Sequence, residues 1–148
     1  MLDQKRLGEM LIQNQAMTIH VLTTRQHPEN LEVESFQRLQ KDERFANGVA
    51  QSVGGINKIV NQNYSSERGV DQKAMAAQLT VQQSLLLHAA TQNTMDAENE
   101  MDVVNAAGRR YDTEPAFRDM VASSVGALMD IVFTCDDRPN LVEVPKDD

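Results

Sequence analysis

Residues 70–107 read VDQKAMAAQLTVQQSLLLHAATQNTMDAENEMDVVNAA, a run without glycine or proline. Met75, Leu79, Leu86, Ala90, Ala97, Met101 and Val104 recur through it at helical spacing and form one apolar stripe. The pattern predicts a single helix over about 70–107, roughly 55 Å long at 1.5 Å per residue. A lone domain of this size is about 30 to 40 Å across, so such a helix must protrude, bend or be covered by another subunit. Its Ala, Ser and Thr residues allow close helix approach, and its Gln and Asn residues can bond laterally between chains. Met75, Leu79, Leu86, Ala90, Met101 and Val104 are therefore the candidate association face, toward a second copy or one protein partner.

Working outward, Leu7, Met10, Leu11, Met17, Val21 and Leu22 mark an amphipathic helix from Asp3 to about Arg25, ended by His27-Pro28. Asn30 is placed to cap a second helix running to about Asn47, with Phe36 and Leu39 facing inward and Gly48 weakening it. Phe45, Val49, Val53, Ile56 and Val60 keep helical spacing past Gly54-Gly55, as one kinked helix or two short ones. YSSERG, residues 64–69, is a loop. Gly108 stops the long helix, and Asp112 or Thr113 with Pro115 opens a last one carrying Phe117, Met120, Val121, Val125, Leu128, Met129 and Val132. The expected fold class is all-α, a helical bundle or hairpin forming one domain over 1–134. Residues 135–148, CDDRPNLVEVPKDD, read as a short, irregular, acidic and mobile tail in which LVEV could add an edge strand.

Composition agrees with helices. At 148 residues with 41% hydrophobic content the chain can bury one core, while 4% aromatics and no tryptophan leave Leu, Met, Val and Ala to fill it. A net charge of −8 excludes nucleic acid and anionic membrane as natural partners, because phosphate binding needs massed Lys and Arg. One cysteine, Cys135, excludes an internal disulfide framework and suits a reducing compartment. The N-terminus MLDQKRLGEMLIQNQAM lacks the apolar run of a signal peptide, and no window reaches transmembrane length. The expectation is a cytoplasmic protein with no stable membrane insertion.

Residue chemistry suggests no catalyst. His88, Asp96, Glu98, Glu100 and Asp102 lie close in sequence, yet Asp96 and Glu100 share one helical face and Glu98 and Asp102 another, so no metal ligand set converges. DAENEM lacks the glycine of a calcium loop, and neither His20 nor His88 follows a Glu by three positions as a carboxylate-bridged metal bundle requires. The acids read as a solvated helix face. Packed together in an assembly they would raise one another's pKa, so they and His88 are the candidate pH-responsive residues. Cys135 follows a helix and adjoins Asp136 and Asp137, which disfavour a thiolate. Gly54-Gly55 has neither nucleotide-loop spacing and reads as a hinge or close-packing point. His20, His27 and Glu34 form a catalytic group only if the fold gathers them in a polar cleft. The expectation is a non-enzymatic helical protein that acts by self-association, without metal or cofactor, or, as the alternative, an acidic adaptor or secretion chaperone that binds a partner through an apolar helix face.

SVGGINKIVNQN, then Gly69, then KAMAAQLTVQQSLLLHAATQNTMDAENEMDVV resembles the killing-trait RebB proteins, the subunits of R-bodies. The likeness covers residues 52–104, and the DAENEMD segment is more acidic than the amide-rich equivalent in that family. The resemblance implies a subunit that polymerises into coiled ribbons inside a bacterium, ribbons that extend on acidification and burst a membrane. It also implies that Met75, Leu79, Leu86 and Ala90 are assembly contacts.

Overall fold

The computed structural model describes residues 1–92 and 100–136. They form α1 (Gln4–Thr24), α2 (Leu31–Lys41), α3 (Glu43–Gln62), a hairpin of β1 (Tyr64–Ser65) and β2 (Gly69–Val70), then α4 (Gln72–Thr91), α5 (Glu100–Thr113) and α6 (Pro115–Cys135). The fold is an all-α bundle. Three of its helices start on an aspartate whose carboxylate accepts from a first-turn N–H: Asp3 from Arg6, Asp42 from Phe45 and Asp71 from Ala74, each at 3.1 Å. α6 instead starts with Pro115 in its first turn, where the missing N–H costs nothing.

Several boundaries differ from the sequence expectations for identifiable reasons. The single helix expected over 70–107 is divided, with α4 ending at Thr91 and α5, from Glu100, packing back on α4. α5 runs through Gly108 to Thr113, so that glycine is not a stop. The second break falls at Asp42, whose extended backbone and capping carboxylate end α2 and open α3, and α3 then continues through Gly48, Gly54 and Gly55. Gly54-Gly55 is not a point of close packing: a Cβ on Gly54 would meet nothing within 4 Å, and one on Gly55 would touch only Gln82 at 3.9 Å. Asn30 precedes α2 without a side-chain cap bond, and Phe36, expected inward, is exposed while Ser35 takes the buried position.

The molecule is built twice over. α1 and α4 match position for position from Asp3 and Asp71, with Leu7 against Met75, Leu11 against Leu79, Gln15 against Gln83, His20 against His88 and Thr23 against Thr91. α3 and α6 likewise match through Phe45 and Phe117, Val49 and Val121, Ser52 and Ser124, and Ile56 and Leu128. The halves exchange their ends. The start of the second half pairs with the end of the first (Tyr64 with Val70; Asp71 N–H to Asn63 O, 2.8 Å), and the start of the first pairs with the end of the second (Leu2 with Asp136; Asp3 N–H to Cys135 O, 2.8 Å). α1 packs on α6 as α4 packs on α3, and α1 meets α4 between them, the reciprocal pattern of an approximate two-fold axis.

The core follows from this arrangement. Leu7, Leu11 and Ile19 of α1, Val49, Ile56 and Val60 of α3, and Phe117, Val121 and Leu128 of α6 are buried with Met75, Leu79 and Leu87 of α4. The short middle helices cover it, each burying one small residue, Ser35 in α2 and Ala107 in α5. Near the axis the core is polar: Ser52 Oγ and Gln83 Nε2 both donate to Gln15 Oε1, and Ser124 Oγ donates to Gln83 Oε1. Each buried amide is thus satisfied by the opposite half or by its own third helix.

Candidate functional site

Two surfaces stand out because a fold of this kind does not require them. On the first half, α1 and α2 flank a groove of about 500 Å³ whose apolar wall is Ile12, Val33, Phe36 and Leu39. Ile12 is 42% exposed, Val33 53% and Phe36 59%. Small residues, Ala16 and Ser35, form its floor and let the helices close on each other. Glu9 and Glu32 form an acidic rim, where Gln13 Nε2 donates to the Glu32 carboxylate. The second half supplies an internal control. Phe36 corresponds to Gly108 and Ile12 to Thr80, so an equivalent three-helix unit packs without either apolar side chain.

The matching helices of the second half expose a different set: Val81 at 63%, Met101 at 63% and Val104 at 40%. These correspond to polar positions of the first half, Val81 to Gln13 and Val104 to Glu32. Each half therefore carries its own apolar face on its first two helices, and the faces are unlike.

The candidate association residues divide between core and surface. Met75, Leu79 and Ala90 are buried by this chain's own helices and Leu86 is partly buried against the core, whereas Met101 and Val104 are exposed. Of the candidate pH-responsive residues, Asp96 and Glu98 and the side chain of Glu100 lie outside the described residues, and Asp102 is exposed on α5. The tail beyond Asp136 also lies outside them, while Cys135 is buried in α6 with Met10 Sδ at 3.6 Å. Burial pushes the Cys135 thiol above its usual pKa, so it stays protonated and inert at neutral pH.

His88 belongs to a polar hub that occurs twice. Arg110 donates through Nη1 to His88 Nδ1 at 3.4 Å and to Thr91 Oγ1 at 2.6 Å, and through Nε to Glu114 at 3.2 Å, while its guanidinium lies 4.2 Å over the Phe117 ring. Arg38 repeats this with His20 Nδ1 at 3.1 Å, Thr23 Oγ1 at 2.8 Å, Asp42 at 3.2 Å and the Phe45 ring at 4.2 Å. An arginine can only donate, so the facing ring nitrogen accepts and the imidazole proton sits on Nε2. Burial, with Arg110 beside it, holds His88 below the usual histidine pKa. The backbone N–H of Phe45 and then Arg38 lower Asp42 below the usual carboxylate range.

The hub ties the three helices of each half together, and its repetition fits a structural task. His20 and Glu34 do meet, at 3.9 Å, but His20 is locked between Arg38 and the edge of Phe45, and His27 lines a separate cleft. Among the described residues no three His, Cys, Asp or Glu side chains group as metal ligands. No helix of the described residues is long and apolar enough to cross a membrane. Comparison with protein-family models, with curated proteins and with solved structures returned no significant match.

Sequence reasoning missed both the duplication and the Phe36 groove. The duplication was signalled by LDQK at 2–5 and VDQK at 70–73, each followed by the same glutamine, histidine and threonine spacing. The groove carried no such signal, since Phe36 has the helical phase of a core residue.

Proposed function

We propose that this chain is a non-enzymatic association protein whose copies join through the Phe36 groove of one molecule and the Val81, Met101 and Val104 face of the next. The observation that carries the reading is the pair of unlike exposed apolar faces on corresponding helices of a duplicated fold. The apolar side chains that line the Phe36 groove form an exposed patch of the kind that marks contact sites rather than stability. A contact between unlike faces is heterologous, leaving one free face at each end, so copies add in sequence until a ring closes or a filament grows. The resemblance of residues 52–104 to R-body subunits supports self-association, and the single cysteine accords with a cytoplasmic setting. The acidic rim of Glu9 and Glu32 favours a second reading, an adaptor that seats the apolar face of a partner's basic helix in the same groove.

Light scattering over a concentration series at pH 7.5 and pH 5 tests the first reading. Mass should rise with concentration for the native chain and stay at one copy for Phe36→Ser, with unchanged helicity. A monomer at every concentration and both pH values would rule self-association out and leave the adaptor reading.

A further inference from the structure

The seam between α1 and α6 holds a cleft of about 400 Å³, walled by Met17, Val21 and Leu22 on one side and Met120 and Ala127 on the other, with Leu87 at its base. A second cleft of about 530 Å³ shares Val21, Leu22 and His27 with it and is bounded beyond them by Arg25 and Arg110. The two are one groove with an apolar end and a cationic end, each part within the size range of small-molecule sites. We infer that this groove binds an amphiphile with an unbranched apolar chain and a single carboxylate head, of the fatty-acid class.

Three observations carry the assignment. In the symmetry-related seam between α3 and α4, Gln82 reaches across: it lies 3.9 Å from a Cβ built on Gly55, and its Nε2 donates to Ser52 at 3.3 Å. On the open side the equivalent of Gln82 is Asn14, one methylene shorter, which lines the cleft together with Ala127. The two seams therefore differ in the side chains that fill them, Gln82 against Gly55 on one side and Asn14 against Ala127 on the other.

Second, two guanidinium groups converge at its cationic end. Arg25 Nη2 donates to the Thr91 carbonyl at 3.1 Å and Arg110 Nη1 to the Thr91 hydroxyl at 2.6 Å. Glu114 offsets the charge of Arg110, and among the described residues no carboxylate pairs with Arg25. A carboxylate entering between them would give Arg25 a charge-assisted hydrogen bond that no described residue supplies. Third, Arg25 is the one non-glycine residue described with positive φ, at 59°, in the position closing α1 where glycine or asparagine is favoured. Keeping an arginine there costs local strain, which accords with a task for its side chain.

Calorimetric titration of the full-length chain with dodecanoate and with dodecanol, both below their aggregation concentrations, tests the proposal. The native chain should bind dodecanoate more tightly than dodecanol. Arg25→Gly relieves the positive φ, so its melting temperature should not fall, while dodecanoate affinity drops by about tenfold or more and dodecanol affinity is unchanged. Ala127→Leu should close the apolar end and weaken both ligands, whereas Phe36→Ser, which alters the other groove, should affect neither. Absence of dodecanoate binding to the native chain, equal dodecanoate affinity in Arg25→Gly, or loss of binding in Phe36→Ser would each overturn it.

Discussion

At the scale of single residues, each of the two arginine hubs joins three bonding partners to an aromatic ring. Arg110 binds an imidazole, a hydroxyl and a carboxylate while covering an aromatic ring. Arg110→Ala should cost about 2 kcal/mol, the scale of charge-assisted bonds lost together with packing. Arg110→Lys should recover little of it, because an ammonium cannot reproduce the planar fork. Urea denaturation of both variants measures this, and full recovery by lysine would contradict the role given to the fork. The pH dependence has a definite sign. His88 titrates below its reference value of 6.5 when folded, so the unfolded chain takes up the proton first. The stability it contributes is complete above pH 6.5 and is lost as pH falls through the folded value. Asp42, lowered from 3.8, adds a further loss in more acid solution. Unfolding free energy should fall from pH 7 to pH 5, and His88→Gln should flatten that slope; identical slopes would remove His88 from the account.

At the scale of elements, the helices were readable where period and cap agree. Asp3, Asp71 and Pro115 mark true starts, and Leu7, Leu11, Met75 and Leu79 point into the core as their spacing requires. Legibility failed where glycine was taken as punctuation. Gly48 and Gly108 both lie inside helices, because tertiary packing on one face outweighs a propensity penalty of about 1 kcal/mol per residue. It failed again over residues 70–107, where a continuous apolar stripe spans two helices that fold back on each other. A stripe reports which face is buried and cannot report whether a neighbouring helix or a neighbouring chain buries it. The glycines allow a direct check. Gly54→Ala and Gly126→Ala place a methyl where nothing lies within 4 Å, so each should stabilise the fold by roughly 0.5 to 1 kcal/mol in thermal unfolding. Destabilisation by either would mean that these helices are bent or opened in solution.

At the scale of the whole molecule, the duplication explains why Leu2 pairs with Asp136 and why the middle hairpin has a counterpart. The Leu2–Asp136 bridge corresponds to the Tyr64–Val70 pair, so the fold is close to a ring with one connection left open. A circular permutant that joins Asp136 to Leu2 through a copy of residues 65–69, and opens the chain between Ser66 and Glu67, should fold cooperatively with native-like helicity. Failure to fold would show that the two junctions are not equivalent. The candidate association site becomes visible only at this scale, since Phe36 and Val104 are unremarkable within their own helices. They draw notice because the other half packs with Gly108 and Glu32 in their places.

Two variants test whether the unlike faces meet. Phe36→Ser keeps the Met101 and Val104 face, and the double variant Met101→Ser, Val104→Ser keeps the groove. Each alone should remain a monomer by light scattering, and an equimolar mixture should form a dimer that grows no further, because one competent contact joins the two molecules and none remains to extend it. A mixture that stays monomeric beside a native chain that assembles would contradict head-to-tail contact through these faces.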